Sequence, residues 1–394
     1  MTKKRHTLAF IIPSLTIGGA ELQTINQINY IVNHNLFDIR LLILSNKVPL
    51  YEQIKLQRDH IKILNENSST TIDKLFFKKL PYILTQTVTF LRDHQVTDIL
   101  AILPMSQFIS RLAKGTNNLL GRNISLSSYY RDVEYKTTPL DTIFKKTFNA
   151  LNSGLAFLFD NRSLFISNAV HEDIKQNIYV RRSLVLPNSL PLNQVNSDEG
   201  KYFLAANGIS EENFIILIPG RLHPKKGHNV FIEAFKVILE SNKLNKIKVI
   251  IAGDGPSRLE IENKISEYNL EKYFYINGFT ENKLLLSLYK CANLVVIPSI
   301  YEGFGNVAIE GLMQQSLMLV SNTGGLGEII SDGINGFTFQ CGNSIDLSKK
   351  LLFIYENKHK VLIEKSVMLN DFKSNYTIES QLKKIFKFLN LNLK

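Results

Sequence analysis

Short apolar runs alternate with helix-spaced stretches from one end of the chain to the other, and this alternation restricts the fold more than any other feature. Residues 8–12, 39–44, 61–64, 98–103 and 124–130 carry such runs in the first half. Residues 214–219, 248–252, 294–297 and 317–321 carry them in the second. A run that is apolar on both faces and too short for a helix suits a parallel strand covered by helices on either side. Repeated strand–helix–strand order predicts α/β domains built on parallel sheets. A chain of 394 residues exceeds one ordinary core, so two domains of about 150–200 residues are expected. The polar run 193–200 reads as a linker.

Residues 294–312 read Leu-Val-Val-Ile-Pro-Ser-Ile-Tyr-Glu-Gly-Phe-Gly-Asn-Val-Ala-Ile-Glu-Gly-Leu. A buried strand should end at Pro298, and a loop with Gly303 and Gly305 lets backbone amides approach a ligand. Asn306 is expected to cap a helix that starts at Val307. Strand end, glycine loop and helix N-terminus form an anion seat. Carboxylates beside that seat would repel a phosphate, so Glu302 and Glu310 are expected to accept hydrogen bonds from hydroxyls. Phosphate plus sugar hydroxyls describes a nucleotide sugar. Taken alone, the stretch would serve equally well as an ordinary βα unit.

A second loop strengthens the phosphate reading. Gly220-Arg-Leu-His-Pro-Lys-Lys-Gly227 follows the run 214–219 and places Arg221 and Lys226 on a Pro/Gly-shaped turn. Charge-assisted hydrogen bonds are worth about 1.5–3 kcal/mol each, against about 0.3–1 kcal/mol for a helix dipole. Those two cations should therefore dominate diphosphate affinity, with His223 and His228 as polar loop residues. Gly253-Asp-Gly-Pro-Ser-Arg258 imitates a dinucleotide fingerprint, but Arg258 stands at its third glycine position. Asn277-Gly278-Phe279, at the next strand end, offers no acid for a ribose, so a dehydrogenase is not expected. In the first half, Gly18 and Gly19 join strand 8–12 to a helix whose apolar face should carry Leu22, Ile25, Ile28 or Asn29, and Val32. The run 124–130 ends in Tyr-Tyr-Arg131-Asp132, whose bland reading is a surface ion pair.

Net charge is +11; residues 1–200 hold 23 Lys+Arg against 16 Asp+Glu, a net of +7. The excess suits an anionic substrate or an anionic membrane surface. No helix-turn-helix, RNP or zinc-finger pattern points to nucleic acid. Cys291 and Cys341 have neither framework nor metal-ligand spacing, so no metal is expected and a reducing cytoplasm is the simple reading. Residues 3–12 imitate a secretory leader, but Pro13 ends a short apolar part and a first strand explains it better. Segments 73–91 and 145–165 mix lysines with Leu, Phe and Tyr. They read as helices packed on a sheet, with membrane-surface contact as the sharper alternative.

The Glu302-x7-Glu310 spacing resembles the signature of retaining GT-B glycosyltransferases, glycosyltransferase family 4 (glycosyl transferases group 1). Residues 183–189, the Gly253-Asp-Gly-Pro turn and Thr323-Gly324-Gly325 are similar to further passages of that family. The resemblance implies a GT-B fold, two Rossmann-like domains with parallel sheets facing across a cleft. An acceptor domain would span 1–192 and a donor domain 193–374, with a helix at about 375–394 crossing back onto the first. Arg221, Lys226 and Glu302 would be catalytic. Gly18, Gly19, Gly278, Phe279, Gly303, Phe304, Gly305, Asn306, Val307 and Glu310 would bind the donor, with Arg131 and Asp132 as acceptor-side candidates. Two departures stand out: no His lies near Tyr130, and Met-Gln-Gln-Ser at 313–316 replaces the usual Cys-Gly-x-Pro turn. The implied activity is metal-independent, retaining transfer from a nucleotide-diphosphate sugar, a UDP-sugar in expectation. The nucleotide sugar is then a substrate, and no cofactor is needed. The acceptor would be a glycan or lipid-linked glycan precursor of surface polysaccharide, handled in the cytoplasm or at the inner face of its membrane. A nucleotide-sugar epimerase and a non-catalytic nucleotide-sugar binding protein remain as alternatives.

Overall fold

The computed structural model describes residues 6–16, 18–64, 74–240, 246–358 and 363–391. Residues 3–5, residue 73 and residues 392–394, on which sequence expectations fall, lie outside these. The chain forms two compact units, one of Met1–Leu190 with Ile378–Lys394 and one of Pro191–Thr377.

The first unit holds seven strands: β1 Thr7–Ile12, β2 Asp38–Ile43, β3 Ile61–Ile63, β4 Asp98–Ile102, β5 Ser125–Tyr130, β6 Arg162–Phe165 and β7 Ser183–Val185. They lie in the order β3-β2-β1-β4-β5-β6-β7, and every pairing is parallel. Leu8 stands opposite both Ile39 and Asp98, so strand order reverses at β1. Every residue of β1 is buried, as a strand covered on both faces requires. Loops at such a reversal leave a crevice beyond the strand ends, where ligands of this sheet type bind.

The second unit holds β8 Phe214–Pro219, β9 Ile247–Ala252, β10 Phe274–Gly278, β11 Leu294–Ile297, β12 Met318–Ser321 and β13 Phe337–Phe339. Their order is β10-β9-β8-β11-β12-β13, again all parallel. The reversal falls between β8 and β11, the two strands that precede the Arg221–Lys226 and Glu302–Asn306 loops. One core packs Ile216, Ile218, Val249, Ile251, Val296 and Leu319 against the helix His228–Glu240 through Phe231 and Phe235. No apolar run in the sequence marks β13, because three residues are too few to show a period.

The helix Gly19–Asn33 departs from the expected pattern. Ile25 and Ile28 are buried as expected, but Leu22 is exposed and the buried face also carries Gln23, Thr24, Gln27 and Ile31. Buried amides need partners, and tertiary contacts supply them. Gln23 Nε2 donates to the Ser189 carbonyl at 2.5 Å, and the Ser189 N–H returns a bond to Gln23 Oε1 at 3.1 Å. Gln27 Nε2 donates to Gln381 Oε1 at 2.6 Å, and Gln381 Nε2 donates to the Pro187 carbonyl. The helix Ile378–Leu389 is thereby tied into the first unit, with Phe386 stacked on Phe37 at 5.1 Å.

Beneath β5 lies a fully buried ion pair. Arg111, on the helix Pro104–Leu119, donates from Nε and Nη2 to Asp160 at 2.9 and 2.7 Å. The same guanidinium reaches Asn152 Oδ1 at 2.5 Å and the Tyr130 hydroxyl at 2.9 Å. Asp160→Asn leaves a buried cation without its counter-charge, a loss of about 3–5 kcal/mol. A clear fall in the urea midpoint, with the second unit unaffected, is the expected outcome.

Candidate functional site

In the second unit, three loops lock together at the strand ends. The carbonyl of Lys225 accepts from the N–H of Ile300 at 2.8 Å and of Tyr301 at 3.3 Å. Gly227 has φ 67°, and a Cβ there would stand 1.9 Å from the Pro298 carbonyl oxygen. Only glycine permits that approach. Glu302 is gripped from the other side: its carbonyl accepts from the Gly325 N–H at 3.2 Å, and a Cβ on Gly324 would lie 1.8 Å from that oxygen.

This interlock brings Lys226 and Glu302 together. Lys226 Nζ donates to Glu302 Oε2 at 2.5 Å, and Ser299 Oγ donates to the same oxygen at 3.3 Å. One carboxylate oxygen is thus anchored, which orients the other. Among the described residues Arg221 makes no hydrogen bond or ion pair, and its side chain is exposed on the first loop. Asn306 is not the helix cap. Gly305 takes that position at φ 107°, and Asn306 is the first residue of the helix Asn306–Gln314. The loop enters the helix through a residue at positive φ, a conformation that glycine adopts most readily.

Glu310 sits one turn into that helix and accepts from the Tyr289 hydroxyl at 3.2 Å. Burial pushes its pKa up to about 7, with the Tyr289 hydrogen bond and the Lys226 charge pulling it back. The Phe304 side chain is buried against Tyr376, so only its backbone can face a ligand. Val307 offers its carbonyl to Tyr289, whereas Phe279 is exposed beyond β10. Gly278, at φ 74°, lies against Arg258, whose Nη1 would be 3.1 Å from a Cβ there. Nor are the two histidines idle loop residues. His223 Nδ1 accepts from the Lys225 N–H at 3.3 Å, and His228 opens a helix as a buried ring with its pKa lowered to about 4 by burial.

In the first unit, Gly18 caps the helix that starts at Gly19. Glu21 folds back over Gly18, where Thr16 Oγ1 donates to it at 2.9 Å. Arg131 is buried: its Nη1 donates to Asn188 at 3.2 Å, its Nη2 to Gln27 at 3.4 Å, and its guanidinium covers the Tyr129 ring. Asp132 is exposed and accepts from the Val133 N–H. A cavity of about 230 Å³ brings Arg131, Asp132 and Glu134 to one wall.

A larger cavity of about 490 Å³ adjoins Glu21 and Glu134 and is lined mainly by apolar groups, among them Met105, Phe144 and Phe148. Asn152 joins its wall while held by Arg111. Burial and the nearby Asp173 push the Glu134 pKa up to about 7. The sequence reading missed Glu134, Asn152, Ser299 and Tyr289. Ser299 stands one residue past Pro298 and Glu134 two past Asp132, whereas Asn152 and Tyr289 are distant in sequence from any motif.

Residues 203–370 match the family model of glycosyl transferases group 1. The fold is GT-B. Anabaena HepE, solved with UDP and glucose, superposes with a TM-score of 0.78 at 18% identity, covering 97% of this chain and 99% of that one. An uncharacterized glycosyltransferase of Methanocaldococcus jannaschii is 37% identical over 134 residues, and the match spans about a third of either protein, 34% of each. A longer match is to the Campylobacter jejuni N-acetylgalactosamine-N,N'-diacetylbacillosaminyl-diphospho-undecaprenol 4-alpha-N-acetylgalactosaminyltransferase. It is 25% identical over 369 residues, 90% of this chain and 93% of that protein.

Two outcomes test the geometry. A folded-state pKa raised above the usual carboxylate value gives stability that is full at low pH and lost as pH rises through about 7. Glu310→Gln should therefore remove part of the decline in melting temperature between mildly acidic and mildly alkaline buffer. Gly227→Ala should cost more than the 1–2 kcal/mol of a left-handed alanine, about 3 kcal/mol or above, because backbone at Pro298 must also move. A melting curve matching the parent would refute the interlock.

Proposed function

We propose that the protein is a retaining glycosyltransferase that uses a nucleotide-diphosphate sugar, with a UDP-sugar as the donor. The observation that carries this is the convergence of Lys226 and Glu302 beside a glycine-capped helix N-terminus, with Arg221 exposed nearby on the loop that carries Lys226. Lys226 has two further N–H donors and Arg221 five, enough to hold a diphosphate. Their charge would stabilise the leaving diphosphate as the glycosidic bond breaks, which is electrostatic catalysis. Glu302, anchored through one oxygen, would accept from donor-sugar hydroxyls, and Glu310 from the ribose. The HepE complex with UDP and glucose supports the donor class.

The acceptor reading is a lipid-linked glycan precursor. The name of the Campylobacter jejuni relative, which acts on a diphospho-undecaprenol-linked glycan, supports it. The cavity with Glu134, Asn152 and apolar walls would take the acceptor sugar, its carboxyl and amide meeting hydroxyls while Phe148 and Met105 meet a sugar face. An epimerase would need acids and bases on both sides of one sugar carbon. Lys226 and Glu302 are instead engaged with each other.

Incubation with UDP-sugars and an undecaprenyl-diphosphate-linked acceptor should give transfer, with the anomeric configuration of the donor kept in the product by NMR. Lys226→Ala should lower kcat by about 10²–10³-fold with the fold intact, the cost of removing one stabilising donor. Undiminished turnover in that variant, or inverted product, would overturn the assignment.

A further inference from the structure

The helix Ile143–Phe159 buries only Ala156, although it is 17 residues long. Its inner side meets the first unit through Phe148, Asn149 and Asn152. Its outer side carries Ile143, Leu151 and Leu158, which are 82, 56 and 64% exposed. Exposed apolar residues are ordinary when scattered, but a strip of them about 25 Å long along one helix is not. The helix contains no Asp or Glu.

The charges around the strip are mainly basic, with Asp141 as the acid beside its start. Lys145 and Lys146 stand at its start, and Lys145 is paired with Asp141. Lys146 makes no ion pair among the described residues. At the far end Arg181 donates to the Phe157 carbonyl at 3.4 Å and lies over the Phe157 ring. Leu119 and Leu120 close the neighbouring helix one turn beyond Gly115, against which the Phe159 ring packs, and Arg122 follows. No helix among the described residues is long and apolar enough to cross a membrane.

We propose that this strip is a surface for lying on an anionic lipid bilayer, with Leu151 and Leu158 entering the acyl boundary and Lys146 and Arg181 meeting headgroup phosphates. Apolar residues on one helix face, flanked by basic groups, bind in the interfacial plane rather than across it. A second copy of the chain fits less well, because this helix offers no carboxylate to the other copy's Lys146. The inference goes beyond the transferase reading and does not depend on it.

The test is vesicle flotation of the purified protein without donor or acceptor. Binding to phosphatidylglycerol-containing vesicles, and not to pure phosphatidylcholine, is expected. Leu151→Glu/Leu158→Glu should lower partitioning about tenfold or more, and Lys146→Glu or added salt should weaken it further. These side chains are exposed, so the variants should melt like the parent, which separates loss of binding from loss of fold. Absence of binding, equal binding to both vesicles, or unchanged binding by the double variant would overturn the proposal. So would a dimer in solution that the double variant dissolves. Failure of the transferase assay leaves this measurement untouched, and the reverse also holds.

Discussion

The donor-side geometry depends on the 2.5 Å contact between Lys226 and Glu302. The two residues are 76 positions apart, on loops that follow neighbouring strands of one parallel sheet. Parallel pairing of β8 and β11 brings their ends to the same edge, which is why the contact exists at all. The glycines at 227, 324 and 325 then let backbone touch backbone, so the pair rests on a fixed frame rather than on long flexible side chains. Preorganisation of this kind lets a few charges act on a ligand without first rearranging.

Charge is distributed differently in the two units. In the second, cations and carboxylates are concentrated at loop ends, with the Glu310 pKa raised to about 7 by burial. In the first, the Arg111–Asp160 pair is sealed beneath β5, and Glu134 faces a cavity with mostly apolar walls. A buried ion pair contributes little net stability but penalises every arrangement that separates its partners. It also holds Asn152 in place, so a structural pair determines the shape of a ligand-sized cavity.

Much of the second unit was legible because its chemistry is local. Strand, glycine loop and helix follow one another within residues 294–312, and the cations Arg221 and Lys226 lie within six residues. The first unit was harder to read. Gln23 and Gln27 face inward where the spacing pointed to Leu22 and Val32, because their amides bond to residues 187–189 and 381, partners far along the chain. Glu134 follows Asp132 by two residues, but nothing in the local sequence marks it; burial and the nearby Asp173 give it its character. Asn306 lost the cap to Gly305 because the loop needs a left-handed residue at that point, a demand that cap preference alone does not show.

By itself the sequence determined the α/β class, the place of most strands and the residue types available to grip phosphates and hydroxyls, since strand burial and loop chemistry are written in consecutive residues. Tertiary structure alone decided which of those residues meet. The Lys226–Glu302 pair, the raised pKa values of Glu134 and Glu310, and the bare outer side of helix Ile143–Phe159 all arise from what lies beside each group in space. Burial and neighbouring charge act through distance, and distance is set only when the sheets close.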